Sequence, residues 1–216
     1  MARKTKVLRA EQIYARLQSA YPDAKCSLNF SDPLQLLIAT ILSAQSTDKT
    51  VNTVTPALFR KYKTAKAFAE ADTRELETLI HSTGFFRNKA KSVQGACRLI
   101  ADKHSGKTPQ AMDELLELPG VARKTANVVL GVAFERAEGV VVDTHVHRLS
   151  RRLDFSHEST PPKVEEDLMR LFPRDKWINL SHLLIHHGRV ICQAKRPKCT
   201  QCPIEDLCSA EDKTGG

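Results

Sequence analysis

Four of the six cysteines in this 216-residue chain crowd into its last 25 residues: Cys192, Cys199, Cys202 and Cys208, spaced C-x6-C-x2-C-x5-C. Four thiols at that density in a reducing compartment read as one metal site. Both tetrahedral zinc and a [4Fe–4S] cluster accept four thiolates. Zinc ribbons usually carry two C-x2-C knuckles; the single one here tilts the choice toward iron–sulfur. Cys26 and Cys97 stand alone in sequence and are expected to be small buried hydrophobes. His145 with His147, and His186 with His187, fit no recognised zinc spacing and are assigned to no metal.

A second group lies in Leu118-Pro119-Gly120-Val121-Ala122-Arg123-Lys124-Thr125-Ala126-Asn127. A helix is expected to end at Leu118, stopped by Pro119-Gly120, and a new one to start near Arg123. The new N-terminus leaves backbone N–H groups free, and such groups bind anions. Lys124 falls in the first turn, where the helix dipole and Arg123 both oppose its charge. An amine that spends time unprotonated suits Schiff-base chemistry, although surface lysines mostly touch phosphate. Asp143 follows the apolar run Val140-Val141-Val142 and reads as a helix N-cap whose carboxylate can still face a cleft.

Charge points the same way. Lys and Arg number 33 against 25 Asp and Glu, a formal net charge of +8, which favours an acidic partner such as nucleic acid. Lys195, Arg196 and Lys198 sit between the first two cysteines, where a metal would pin them on a fixed surface.

The elements that must position these residues are helical. Apolar residues recur at helical spacing in Ile13/Leu17/Tyr21, Leu34/Leu37/Ile38/Ile41, Val51/Val54/Leu58, Leu76/Leu79/Ile80, Val93/Cys97/Ile100 and Val164/Leu168/Leu171. Asp32-Pro33 is a helix start, and Thr73 reads as another N-cap. The segments Ser82 to Asn88 and Glu135 to Val140 read as loops. Only Val140 to Val142 looks strand-like, too short for a sheet, so the fold class is all-α. No apolar run approaches the ~20 residues of a membrane span, and no apolar stretch follows the basic MARKTKVLRA, so neither an anchor nor a secretory signal is expected. The expected location is the cytoplasm, in association with the nucleoid.

The ordered set Leu42-Ser43-Ala44-Gln45-Ser46-Thr47-Asp48, Leu118 to Asn127, Val142-Asp143-Thr144-His145 and the cysteine tail resembles the endonuclease III family of helix-hairpin-helix DNA glycosylases. The resemblance runs from about residue 9 to residue 209. It implies two helical domains with a DNA-binding groove between them: a six-helix barrel over 26–137 that contains the hairpin, and a second domain of 1–25 and 138–216 with a C-terminal cluster loop. It implies Lys124 and Asp143 as catalytic residues, and a [4Fe–4S] cluster on Cys192, Cys199, Cys202 and Cys208. Gln45 resembles the residue that fills the gap left by a flipped nucleotide, and Phe85 stands where the family places an apolar wedge. Gly120, Ala122, Lys195, Arg196 and Lys198 would contact DNA. The implied activity is that of a bifunctional glycosylase and abasic-site lyase in base excision repair. It would act as a monomer on double-stranded DNA carrying an oxidised pyrimidine or an abasic site, with no membrane partner. A glycosylase without lyase activity would usually lack the lysine at 124; a zinc-bearing DNA-binding module would be colourless. Ala122 departs from the family's usual second hairpin glycine. Were a positive φ required there, Ala would cost about 1 kcal/mol.

Overall fold

The computed structural model describes residues 2–214 and is all-helical, with no strand among the described residues. Among the described residues eleven α-helices follow in order: α1 Ala2–Ala20, α2 Pro33–Leu42, α3 Asp48–Lys61, α4 Ala65–Ala69, α5 Thr73–Ile80, α6 Phe86–Lys103, α7 Met112–Leu116, α8 Arg123–Phe134, α9 Thr144–Arg152, α10 Pro161–Leu171 and α11 Trp177–Val190. The chain divides into two compact units, one of Ser27–Glu138 and the other of the residues through Cys26 together with those from Gly139 onward. Among the described residues no helix is long and apolar enough to cross a membrane.

The middle unit is organised around α2. Its seven residues Leu36 to Leu42 are buried on every side, as expected of a helix that is apolar all round. It packs against α3, α6 and α8. Asp32 caps it by accepting from the Gln35 N–H at 2.9 Å, and Pro33 occupies the first helical position, where a missing N–H costs nothing. The apolar stripe of α6 buries Val93, Cys97 and Ile100; that of α8 buries Val129 and Leu130.

The other unit is built on Ile13 and Leu17 of α1, Val146 and Leu149 of α9, Val164 and Leu168 of α10, and Leu180, Leu183 and Leu184 of α11. Val140 and Val142 are buried in this core as an extended lead-in to α9 rather than as a strand. Cys192, Cys202 and Cys208 pack against its edge.

Four expectations are corrected. The N-cap of α5 is Asp72, whose Oδ1 accepts from the Glu75 N–H at 2.8 Å; Thr73 is already helical. The helix before the hairpin ends at Leu116, not Leu118, because Leu118 turns back to bond the Leu115 carbonyl. The loop expected over Ser82 to Asn88 shrinks to two residues, since a 3-10 turn runs through Thr83 and α6 starts at Phe86. Cys97 is buried, but Cys26 is only half-buried at the end of its unit.

Candidate active site and cysteine centre

The hairpin turn is seated on α6 by two close backbone approaches. Gly120 has φ +79°, and a Cβ there would meet Ser92 Cβ at 2.6 Å. Gly95 on the same helix leaves room for the Pro119 ring; a Cβ at Gly95 would stand 3.0 Å from Pro119 Cγ. Leu118 and Val121 are buried beneath the turn, and the Val121 N–H bonds the Leu118 carbonyl at 3.1 Å. Gly120→Ala should therefore destabilise the chain by roughly 2–4 kcal/mol, from left-handed backbone strain plus overpacking. Chemical denaturation measures it, and a loss below about 1 kcal/mol would mean that the turn shifts away from α6 without strain.

Ala122 is the N-cap of α8 at φ −94°, ψ 170°. That is ordinary extended backbone, so Ala bears none of the left-handed strain that a departure from glycine raised as an expectation. No side chain caps α8, so the N–H groups of Lys124 and Thr125 in its first turn are left for another acceptor. Lys124 lies in that first turn, exposed, and no described residue forms a hydrogen bond or ion pair with its ammonium group.

Asp143 is the N-cap of α9. A single oxygen, Oδ1, accepts from both the His145 and Val146 N–H groups at 2.8 Å, which fixes the half-buried carboxylate and leaves Oδ2 without a described donor. The nine residues of α9, about two and a half turns, then grip the cysteine segment. Arg148 donates to the carbonyls of Gly188 (3.0 Å) and Cys192 (2.8 Å), and Arg152 donates to those of Gln193 (2.8 Å) and Ala194 (3.2 Å). Gly188 permits this approach, since a Cβ there would stand 2.9 Å from His145 Cβ. One short helix is thus capped by Asp143 at its start and holds the first cysteine's backbone through Arg148.

Gln45 and Phe85 share a property. Both are exposed, both occupy short connections, and both sit in the left-handed region, at φ 52° and 48°. For a phenylalanine this is strained backbone, and the residue is 64% exposed where burial of its ring would be favourable. Beneath it Lys89 is buried and donates to the Thr83 carbonyl at 2.7 Å, capping the 3-10 turn that precedes Phe85. Burial holds the Lys89 ammonium below the ordinary lysine range.

The four C-terminal cysteines line one cavity, with Arg152, His187 and Ile204, whose empty space including open solvent is ≈ 420 Å³. Among the described residues no three His, Cys, Asp or Glu side chains converge as they would on a lone metal ion. All four cysteines nonetheless line the same cavity. Donors are already aimed at them: Arg152 Nη1 lies 3.3 Å from Cys192 Sγ, the Thr214 N–H 3.4 Å from Cys199 Sγ, and His187 Nε2 3.5 Å from Cys202 Sγ. Burial raises the Cys192 thiol and pushes that of Cys202 up to about 11, so cationic metal charge is what would draw off these protons. The donor set and the cavity therefore fit an iron–sulfur group. Lys195, Arg196 and Lys198 are exposed around buried Pro197, and no described carboxylate pairs with any of the three.

Residues 38–174 match the family model of the HhH-GPD superfamily base excision DNA repair proteins, and residues 192–208 match the iron–sulfur binding domain of endonuclease III. The endonuclease III of Synechocystis sp. is 55% identical over 204 residues, 94% of this chain and 93% of that protein. The chain belongs to the endonuclease III family. The endonuclease III of Escherichia coli K12 is 40% identical over 94% of this chain and 95% of its own length. A solved structure of a trapped endonuclease III–DNA covalent intermediate superposes with a TM-score of 0.89 at 42% identity, covering 94% of this chain and 95% of that one.

Within this endonuclease III fold, sequence reasoning missed Gly95, Lys89, Arg148 and Arg152. A glycine inside a helix and a lysine in a basic chain carry no distinguishing local signal. The i, i+4 arginines on α9 were legible as a pair, but their partners lie about 40 residues away in sequence.

Proposed function

We propose that this chain excises oxidised pyrimidines from duplex DNA, acting as a monomer on one damaged nucleotide at a time. As an endonuclease III-family protein it is a DNA glycosylase and abasic-site lyase of base excision repair. The observation that carries the mechanism is the exposed amine of Lys124, which no described residue bonds, in the first turn of a helix without a side-chain cap. Free N–H groups at that helix start bind a DNA phosphate and bring the backbone to the amine.

Extruding the nucleotide requires breaking its stacking, which costs least where damage has weakened pairing. Phe85 enters the stack and Gln45 fills the vacated place; left-handed backbone aims both side chains outward at the cost of local strain. Neutral Lys124 Nζ then attacks C1′, the C1′–N bond breaks and the base leaves with the electron pair. As the C1′–O4′ bond breaks, one Nζ proton passes to O4′, which leaves a hydroxyl and the protonated Schiff base. Loss of a C2′ proton expels the 3′ phosphate by β-elimination, and water releases the lysine. The Asp143 carboxylate, locked by two N–H groups, stabilises the positive charge that builds on the sugar as the base departs.

Cys192, Cys199, Cys202 and Cys208 would hold a [4Fe–4S] cluster, whose chemistry here is to cross-link the C-terminal segment. The chain's own residues do the rest: Arg148 and Arg152 tie that segment to α9, and the loop between Cys192 and Cys199 presents Lys195, Arg196 and Lys198 to phosphates. Replacing these three by Gln should reduce the slope of log affinity against log salt by about 2–3, at roughly 0.9 per phosphate released. An unaltered slope assigns the loop to solvent.

The deciding assay is cleavage of an oligonucleotide containing one oxidised pyrimidine, with borohydride present to trap the Schiff base. Strand cleavage on the 3′ side and a covalent adduct are expected. Binding without cleavage would leave only a DNA-binding module.

A further inference from the structure

Tyr21 directly follows α1, and its hydroxyl lies 2.8 Å from Nδ1 of His187 in α11. The other ring nitrogen, Nε2, lies 3.5 Å from Cys202 Sγ. His187 is 1% exposed. Its carbonyl accepts the N–H groups of Ile191 and Cys192 at 3.0 and 2.9 Å, so this residue holds the first cysteine by backbone and faces the third by side chain. Neither the base-release chemistry nor the phosphate contacts above use either aromatic residue.

The direction of the two hydrogen bonds follows from chemistry. A cysteine that ligates iron is a thiolate and can only accept. Nε2 must then carry the imidazole proton, which leaves Nδ1 bare to accept the tyrosine O–H. The chain Tyr21 O–H to His187, then N–H to sulfur, is self-consistent in one sense only. Its positive end points at the ligand sulfur, and donors so placed favour the reduced form of an iron–sulfur group and shield the bond to iron.

We propose that Tyr21 and His187 are positioning residues for the iron–sulfur group, a two-link relay that donates a hydrogen bond to Cys202 and sets both the reduction potential and the retention of that group. The proposal rests on the four-cysteine reading above. It also gives α1 a role: the helix from the far end of the sequence anchors the third ligand.

The test uses the iron-loaded full chain and its variants His187→Phe, His187→Gln, Tyr21→Phe and the double Tyr21→Phe/His187→Phe. Readouts are the reduction potential by voltammetry, the iron–sulfur stretching bands by resonance Raman, and the bleaching rate under EDTA in air. His187→Phe keeps ring volume but has no donor; it should shift the potential negative and bleach about tenfold faster, equivalent to about 1.4 kcal/mol. His187→Gln retains an N–H and should recover most of both. Tyr21→Phe should move the same readouts less, and add nothing on the His187→Phe background. Parent-like potential and bleaching in His187→Phe overturn the relay alone. An additive Tyr21→Phe overturns the link between the two rings. Should His187→Phe fail to fold, parent-like values in Tyr21→Phe overturn the tyrosine's part. A colourless parent holding zinc overturns the cysteine reading, and the relay with it.

Discussion

Lys124→Gln should abolish borohydride trapping and lower strand cleavage by at least about 10³-fold, the scale on which removal of a covalent nucleophile is felt. The fold should be indifferent to the change. The side chain is exposed, no described residue bonds it, and Gln has a helix propensity close to that of Lys. Binding to a non-cleavable abasic analogue should fall only modestly, since one cation is lost from an interface of many. The denaturation midpoint, analogue affinity and trapping yield together separate a missing nucleophile from a damaged site. A variant that still traps at the parental rate would transfer the nucleophile to another amine.

Asp143→Asn should slow base release by about 10²–10³-fold, as expected when a preorganised charge is removed from a charged transition state. Asn is as good an N-cap as Asp, and its amide oxygen can accept from the same two N–H groups, so α9 should persist. The defect should be smaller on a preformed abasic site, where no glycosidic bond remains to break. Parallel rate measurements on the two substrates check this. Equal losses on both would place Asp143 on the amine instead of the sugar.

Lys89 shows where folding and site geometry meet. Removing its ammonium, as in Lys89→Met, would leave the Thr83 carbonyl buried and without its donor beside the strained Phe85 backbone. Strain of that kind persists only where surrounding contacts hold it, and this buried amine is the contact that can be named.

The amino-acid sequence by itself determined the helical class, most helix positions, the hairpin and the cysteine set. Those features rest on near-neighbour physics. Apolar residues at helical spacing, Asp32-Pro33 at a helix start, Pro119-Gly120 at a stop and four closely spaced thiols all act over a few residues of chain. Even here the competition was local and close: Asp72 rather than Thr73 captured the cap of α5, because a carboxylate one residue earlier reached the Glu75 N–H.

Only the tertiary structure decided the rest. It put Ala122 in extended backbone, so that the family's second glycine is not needed at that φ, and it spent the real glycine requirement on Gly120 against Ser92 and Gly95 against Pro119. It buried Lys89, left Cys26 half-exposed, and set Arg148, Arg152, His187 and Tyr21 around the cysteines. Such contacts run from 15 positions apart, His187 with Cys202, to 166, Tyr21 with His187, where no sequence period operates. They are selected by which helix faces meet once the apolar stripes are buried, and that is a property of the packed chain.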